Sequence, residues 1–306
     1  MIVYNHMEIS CLDLFRKLVK EKPIPYSAVQ AIGHCIKNSK ETTTMGLNKE
    51  LDELKKDILK VAEKENLLEK TTLSLMSAIN ICNHMLYKDM SMYQKESMKS
   101  LREILVNRTE QLAQITLNSR KRAVKNAKEF IRDGQTILTH GHSKLVEEIL
   151  LSSAENRRFK VIVTESRPRN FGKSWKEILD KKGIPNKMIL DSAIGSVIPD
   201  VDFLLVGAEA VLQNGGIVNY IGTLSAFMCA YAFKKPCYVA VECFKFLNIF
   251  PLSIKDFGFA IQKHVGEFDN PLVDFTPPEY ITLLFTDFGT FTPSAVSDEL
   301  IQFYHT

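Results

Sequence analysis

The sequence predicts an α/β protein with a helical domain over residues 1–125, then a mostly parallel open sheet with helices on both faces over residues 126–306. Three observations lead there. Through residue 125, apolar side chains recur at three- and four-residue spacing while Gly and Pro are scarce, the pattern of successive amphipathic helices. From Asp133-Gly134 onward, short apolar runs alternate with loops and helical stretches, the rhythm of parallel βαβ units. A chain of 306 residues, 45% apolar and 25% charged, can also bury one large core or two smaller ones. The second half is therefore expected to be Rossmann-like.

In the helical half, Leu51, Leu54, Ile58 and Val61 make one stripe. Asn48 is placed to cap it, and Glu50, Asp52 and Glu53 sit in the first turn, where negative charge suits the helix dipole. Leu101, Ile104, Leu105, Arg108, Leu112 and Ile115 mark a second amphipathic helix. The predicted strands are Thr136–Thr139, Lys160–Thr164, Lys187–Leu190, Phe203–Val206 and Tyr238–Val241. Between them lie the predicted helices Lys144–Ser152, Lys173–Lys181 and Leu224–Phe233. Ile254–Pro278 reads as loop, with Gly258, Gly266, Pro271, Pro277 and Pro278. After the apolar ITLLF run, Thr292-Pro293 suits the cap and first position of a closing helix.

Lys plus Arg number 39 against 36 Asp plus Glu, so no global field holds the chain on nucleic acid or an anionic membrane. Anion recognition must be local. The start, MIVYNHMEISCLDLFRK, is not a signal sequence, and no stretch approaches the ~20 apolar residues of a membrane span, so a cytoplasmic protein is expected. Cys11, Cys35, Cys82, Cys229, Cys237 and Cys243 lack CxxC pairing and read as packed, reduced thiols.

Open parallel sheets bind ligands beyond the carboxyl ends of their strands. The four loops there are Thr139–Ser143, Glu165–Arg169, Gly207–Glu209 and Glu242–Lys245. Gly141 lets backbone approach a ligand, Ser143 can cap the next helix, and the free N–H groups there suit an anion. Arg167 can grip a phosphate bidentately, with Lys173 and Lys245 adding point charge, so the loops together describe a pocket for a small phosphorylated molecule. Each residue alone also fits an ordinary turn or cap. His140 and His142 alternate across a strand end with no third ligand nearby, which disfavours a metal, and no cofactor is implied. In Asn214-Gly215-Gly216-Ile217-Val218-Asn219-Tyr220-Ile221-Gly222-Thr223 the glycines imply a tight turn, while Asn214 and Asn219 can bond either backbone or ligand.

The segments GQTILTHGHSKLVEEIL, VTESRPRNFGK, VGAEAVLQNGGIVNYIGT, ECFKF and LLFTDFGTFTPSAVSDELI carry a resemblance over residues 95–306. The chain resembles the family of initiation factor 2B alpha, beta and delta subunits together with methylthioribose-1-phosphate and ribose-1,5-bisphosphate isomerases. ECFKF and the last segment are most similar to the family's alpha branch. In the isomerases, a cysteine after Thr-His and an aspartate after Gly-Ala handle proton transfer. Here those positions hold Gly141 and Glu209. Glycine exchanges no proton and glutamate sits one methylene further out, so the resemblance implies a non-catalytic protein. An active aldose-ketose isomerase with a relocated acid–base pair is the alternative.

The resemblance also implies a retained pocket for a sugar phosphate, phosphate or sulfate. It comprises His140, Gly141, His142, Ser143, Glu165, Arg167, Lys173, Glu209, Asn214, Gly215, Gly216, Asn219 and Lys245. It further implies a homodimer that joins two exchange-factor assemblies with their beta, delta, gamma and epsilon subunits, and a role in sensing the phosphorylated alpha subunit of initiation factor 2. The segment from Glu41, Thr42, Thr43 and Thr44 to Leu47 is the region the family would use for that contact; a Thr-rich stretch before a helix is otherwise a cap. Arg120, Lys121, Arg122, Lys125 and Lys128 form a basic run able to meet a phosphorylated partner or simply to face water. Phe285, Phe288 and Phe291 are candidates for the dimer interface or the monomer core.

Overall fold

The helical stripe read from the sequence begins one turn earlier than Asn48. A computed structural model describes residues 9–65, 67, 73–249 and 271–296. It has two compact units, Met1–Asn118 and Ser119–Thr306. In the first, α1 (Cys11–Leu18) starts at Ser10, whose side chain accepts the Asp13 N–H, and α2 (Ile24–Asn38) has Pro25 in its first turn. Helix α3 (Thr44–Lys64) is capped by Thr43, whose Oγ1 accepts the Gly46 N–H at 3.1 Å. Asn48 is therefore an interior helical residue, not the cap. The capping hydroxyl and the added apolar position Leu47 explain the earlier start: Leu47, Leu51, Leu54 and Ile58 make a buried stripe at four- and three-residue spacing. Helix α4 (Leu73–Met92) follows, then α5 (Met98–Lys128), within which the two units divide. Leu101, Leu105 and Leu112 are buried, while Arg108 leans on the carboxylate of buried Asp89 at 3.1 Å.

The second unit carries the expected sheet. Its strands are β1 (Thr136–Thr139), β2 (Lys160–Thr164), β3 (Asn186–Ile189), β4 (Phe203–Gly207), β7 (Cys237–Ala240), β10 (Leu283–Phe285) and β11 (Thr290–Phe291), in spatial order β11-β10-β7-β4-β1-β2-β3. All pair in parallel except the edge strand β11. Strands β3 and β7 each lie one residue before their predicted bounds; Leu190 has already turned outward and is 59% exposed. Helices α6 (Lys144–Ser153), α7 (Phe171–Lys181), α8 (Ile194–Val197) and α9 (Thr223–Ala232) connect them.

Both faces of the sheet are covered, which is why its strands read as continuous apolar runs. Ile137, Val161, Val163, Phe203 and Leu205 pack with Leu145, Ile149, Trp175, Leu179, Ala123 and Ala127 on one side. Leu138, Ile162, Leu204, Val206 and Val239 alternate to the other side, against Ile194, Ala226, Phe227 and Ala230.

The second sheet is absent from the sequence reading. It has β5 (Ala210–Leu212), β6 (Ile217–Tyr220), β8 (Phe246–Leu247) and β9 (Val273–Thr276) in the order β8-β5-β6-β9. Residues 273–276 thus correct part of the predicted Ile254–Pro278 loop: Pro271 and Pro277 flank the strand rather than interrupt it, and β9 pairs antiparallel with β6. Residues 250–270 lie outside the described residues. The closing helix begins at Pro293, with Val296 fully buried; beyond residue 296 the prediction falls outside the described residues. Phe285 is core, Phe291 packs at the core's margin and Phe288 is 49% exposed. Among the described residues no helix is long and apolar enough to cross a membrane.

Candidate functional site at the carboxyl ends of the strands

The sheet reverses its strand order between β1 and β4, and at this switch point an open α/β sheet leaves a crevice. The loops after β1, β2, β4 and β7 meet there because their strands are neighbours in the sheet. Many of their polar groups are bound within the protein, to one another and to neighbouring elements. His140 is 3% exposed, with Nε2 2.7 Å from the Ile221 carbonyl and Nδ1 2.7 Å from Thr164 Oγ1. A carbonyl only accepts, so Nε2 carries the hydrogen. An order that satisfies every member runs Gly141 N–H to Ser166 Oγ, Ser166 O–H to Thr164 Oγ1, and Thr164 O–H to His140 Nδ1, with spacings of 2.9, 2.9 and 2.7 Å. His140 is thereby fixed as a structural residue.

Gly141 has φ +72°, and a Cβ built there would lie 3.0 Å from Tyr220 Cβ. Its carbonyl accepts the Trp175 indole N–H at 2.7 Å. Sequence reasoning overlooked both aromatic partners, although the chain's single Trp is a natural candidate for a polar anchor in a core. The Tyr220 phenol, fully buried, accepts the Arg169 backbone N–H at 2.8 Å, and burial pushes its pKa up. Ser143 caps α6 as expected.

The backbone N–H groups of Ser166 and Arg167 point at Asp191, donating to its two carboxylate oxygens at 2.9 and 2.8 Å. An internal carboxylate therefore already occupies that anion cradle. The Arg167 side chain is exposed, 2.9 Å from Asn170 Oδ1, and Lys173 is exposed on the first turn of α7. Glu165 and Glu209 are half-buried. Asn214 Oδ1 accepts the Gly216 N–H within its own turn, and buried Asn219 donates to Thr223 Oγ1. Gly215 has φ +81°, and a Cβ there would meet the Pro293 carbonyl at 2.2 Å. Lys245 donates to the Ala208 carbonyl at 2.9 Å and lies 3.3 Å from Glu242. His142 Nε2 sits 3.1 Å from Glu147. Of the predicted basic run, Arg120 and Arg122 are held by buried carboxylates, Glu242 and Asp287. Lys121 and Lys125 are exposed. Glu41, Thr42 and Thr43 are exposed on the other unit, where Thr43 is the cap of α3 and the Glu41 carbonyl accepts from Arg102. Among the described residues no three His, Cys, Asp or Glu side chains gather at metal-ligand spacing.

Asp274 is a second carboxylate the sequence did not reveal. It is 8% exposed, and its Oδ2 accepts the Gly222 and Leu224 N–H groups that open α9, while Oδ1 has no hydrogen-bond partner. Burial, opposed by those backbone hydrogen bonds, lifts its pKa to about 7. A folded value above the ordinary 3.8 means that its contribution is full at low pH and is lost as pH rises from about 4 to 7. The Asp274→Asn variant keeps one acceptor for the helix amides without titrating. Wild-type stability relative to this variant is expected to fall by roughly 2–4 kcal/mol between pH 4 and 7.5 in denaturant unfolding. Parallel pH profiles would refute that assignment.

A two-unit molecule with a doubly covered parallel sheet and a polar cluster at its switch point belongs to the Rossmann-like α/β class. The chain is a member of the initiation factor 2 subunit family, whose model matches residues 20–293. It is 38% identical over 312 residues to a Dictyostelium discoideum protein named translation initiation factor eIF2B subunit alpha, covering 95% of each chain. Ribose 1,5-bisphosphate isomerase of Pyrococcus furiosus is 28% identical over 292 residues, 90% of this chain and 87% of the other. Among solved structures, the tetrameric eIF2B-beta2-delta2 complex from C. thermophilum matches with a TM-score of 0.76 at 20% identity, over 96% of this chain and 93% of that one. That likeness confirms the fold class.

Proposed function

We propose that this chain is a non-catalytic regulatory and assembly subunit of the guanine-nucleotide exchange factor for translation initiation factor 2. The observation that carries the reading is the end-to-end similarity to an alpha subunit, which spans both units of the fold. In this reading the chain acts in the cytoplasm as a homodimer, joins beta, delta, gamma and epsilon subunits, and helps sense the phosphorylated alpha subunit of initiation factor 2 through the Glu41–Thr44 segment, of which Glu41, Thr42 and Thr43 are exposed. Position 141 supports the non-catalytic part. Glycine offers no acid or base, its positive φ disfavours any side chain, and Tyr220 fills the space where one would project. The deciding experiment pairs an assay of the purified chain on ribose 1,5-bisphosphate with co-expression alongside the partner subunits. Absence of turnover together with co-purification is the expected result; measurable turnover would establish the isomerase reading.

The pocket is vestigial in the same reading. His140, Asn214, Asn219 and Lys245 are bound within the protein; in this reading the exposed Arg167 and Lys173 hold the anion and half-buried Glu165 meets a hydroxyl. A ligand present at tenfold its Kd stabilises the native state by about 1.4 kcal/mol. Millimolar sugar phosphate is therefore expected to raise the Tm of the wild type. Arg167→Ala should abolish the rise while leaving the unliganded stability within about 0.5 kcal/mol of wild type, because the side chain is exposed. An equal rise in both proteins would exclude Arg167 from the pocket.

A further inference from the structure

The loop after β2 carries an anion site that is filled from within the chain. Ser166 adopts a left-handed conformation, φ +57°, the kind of turn that aims successive backbone N–H groups at one point and receives phosphate oxygens in other proteins. The N–H groups of Ser166 and Arg167 donate to Asp191 at 2.9 and 2.8 Å, one to each carboxylate oxygen. Asp191 comes from a different part of the chain: it opens the three-residue 3-10 turn Asp191–Ala193 that follows β3. We propose, on the reading that the crevice retains an anion pocket, that Asp191 is an internal competitor for it. The phosphate of an incoming ligand takes the two N–H groups, and the Asp191 carboxylate leaves them first.

Asp191 is built to be displaced. Its side chain is 28% exposed, so a released carboxylate passes directly into water. Among the described residues no Lys or Arg pairs with it, and His140 Nδ1, 3.7 Å away, accepts the Thr164 hydroxyl and offers it no hydrogen. It stands beyond Ile189, the last residue of β3, so rotation of its side chain breaks no strand pairing. Asp274 also rests on backbone N–H groups but is 8% exposed and lacks such an exit. While Asp191 stays in place, a phosphate meets both an occupied cradle and a fixed like charge. Its apparent affinity is lowered by the fraction of molecules in which the carboxylate has swung away. Removing the carboxylate lifts both penalties and leaves the exposed cations Arg167 and Lys173 untouched.

The test titrates inorganic phosphate, at ionic strength held constant with chloride, into the isotopically labelled full chain and follows the Ser166 and Arg167 amide resonances. In Asp191→Ala these two amides should shift with a Kd at least about tenfold below that of wild type. Asp191→Asn keeps a neutral oxygen for the N–H groups; it should fall between the two and serves if the alanine variant does not fold. Equal affinity in wild type and variants, no binding to either variant, or binding that moves other amides but not these two would each overturn the proposal. A parallel titration with ribose 1,5-bisphosphate separates the competitor from the pocket. Tightened phosphate binding with no response to the sugar phosphate would keep Asp191 as the occupant of an anion site and reject a sugar-phosphate pocket. A sugar phosphate bound equally by wild type and Asp191→Ala would keep the pocket and reject Asp191 as its competitor.

Discussion

Trp175→Ala is expected to destabilise the α/β unit by about 3–5 kcal/mol, enough to unfold a large fraction of a marginally stable protein at physiological temperature. The indole is 1% exposed and packs with Leu145, Ile149 and Leu179 against Val161 and Val163. Truncation removes the transfer free energy of a large ring and leaves a cavity that the strands cannot close. Trp175→Phe separates packing from hydrogen bonding. Phenylalanine fills most of the space but leaves the Gly141 carbonyl without the N–H it accepts at 2.7 Å, for an expected loss of about 1–3 kcal/mol. Because Trp175 is the only tryptophan, neither variant keeps its fluorescence, and unfolding should be followed by circular dichroism in denaturant. A loss below about 1 kcal/mol for alanine would mean that this core is not packed as described.

The sheet was legible because burial on both faces writes itself into sequence. Strands such as Thr136–Thr139 and Lys160–Thr164 are apolar on successive inner residues, Ile137-Leu138 and Val161-Ile162-Val163, and are bounded by Gly, Ser and charged loops. The small sheet was hidden because β5 and β8 are three and two residues long, too short to show a period. One signal for it did exist: Asn214-Gly215 lies between Ala-Val-Leu and Ile-Val, the arrangement of a hairpin turn, and β5 pairs antiparallel with β6 around it. At the site, the strand-end loops were placed correctly by the rule of parallel sheets. The partners that occupy their polar groups were not legible, since Asp191 reaches Ser166 from 25 residues away and Asp274 reaches Gly222 from 52. Such pairings are fixed by tertiary contact and leave no local periodicity. Arg120 and Lys245 show the same limit: as isolated basic residues they resemble anion ligands, and only the fold discloses the buried carboxylate between them.

That carboxylate carries the second large effect. Glu242 is 1% exposed and lies 3.2 Å from Arg120 and 3.3 Å from Lys245. Burial raises its pKa, Lys245 and Arg120 lower it, and the net shift is downward from 4.5. Arg120→Met keeps the aliphatic stem but leaves a buried anion with one cation in place of two. Breaking a buried pair costs about 3–5 kcal/mol; because Lys245 remains and Arg120 is partly solvated, about 2–3 kcal/mol is expected here. The sign of the pH dependence follows from the lowered pKa. The stabilisation is present above pH 4.5 and is lost as pH falls through the folded value, so the gap between wild type and variant should be full at pH 7 and narrow below pH 4.5. Adding Glu242→Gln to Arg120→Met removes the unpaired charge, and the double variant should recover at least 1 kcal/mol relative to the single one in a denaturant cycle. A gap that stays constant with pH, or a double variant no more stable than Arg120→Met, would show that the pair does not hold this end of the sheet together and would return Lys245 to the residues free to bind a ligand.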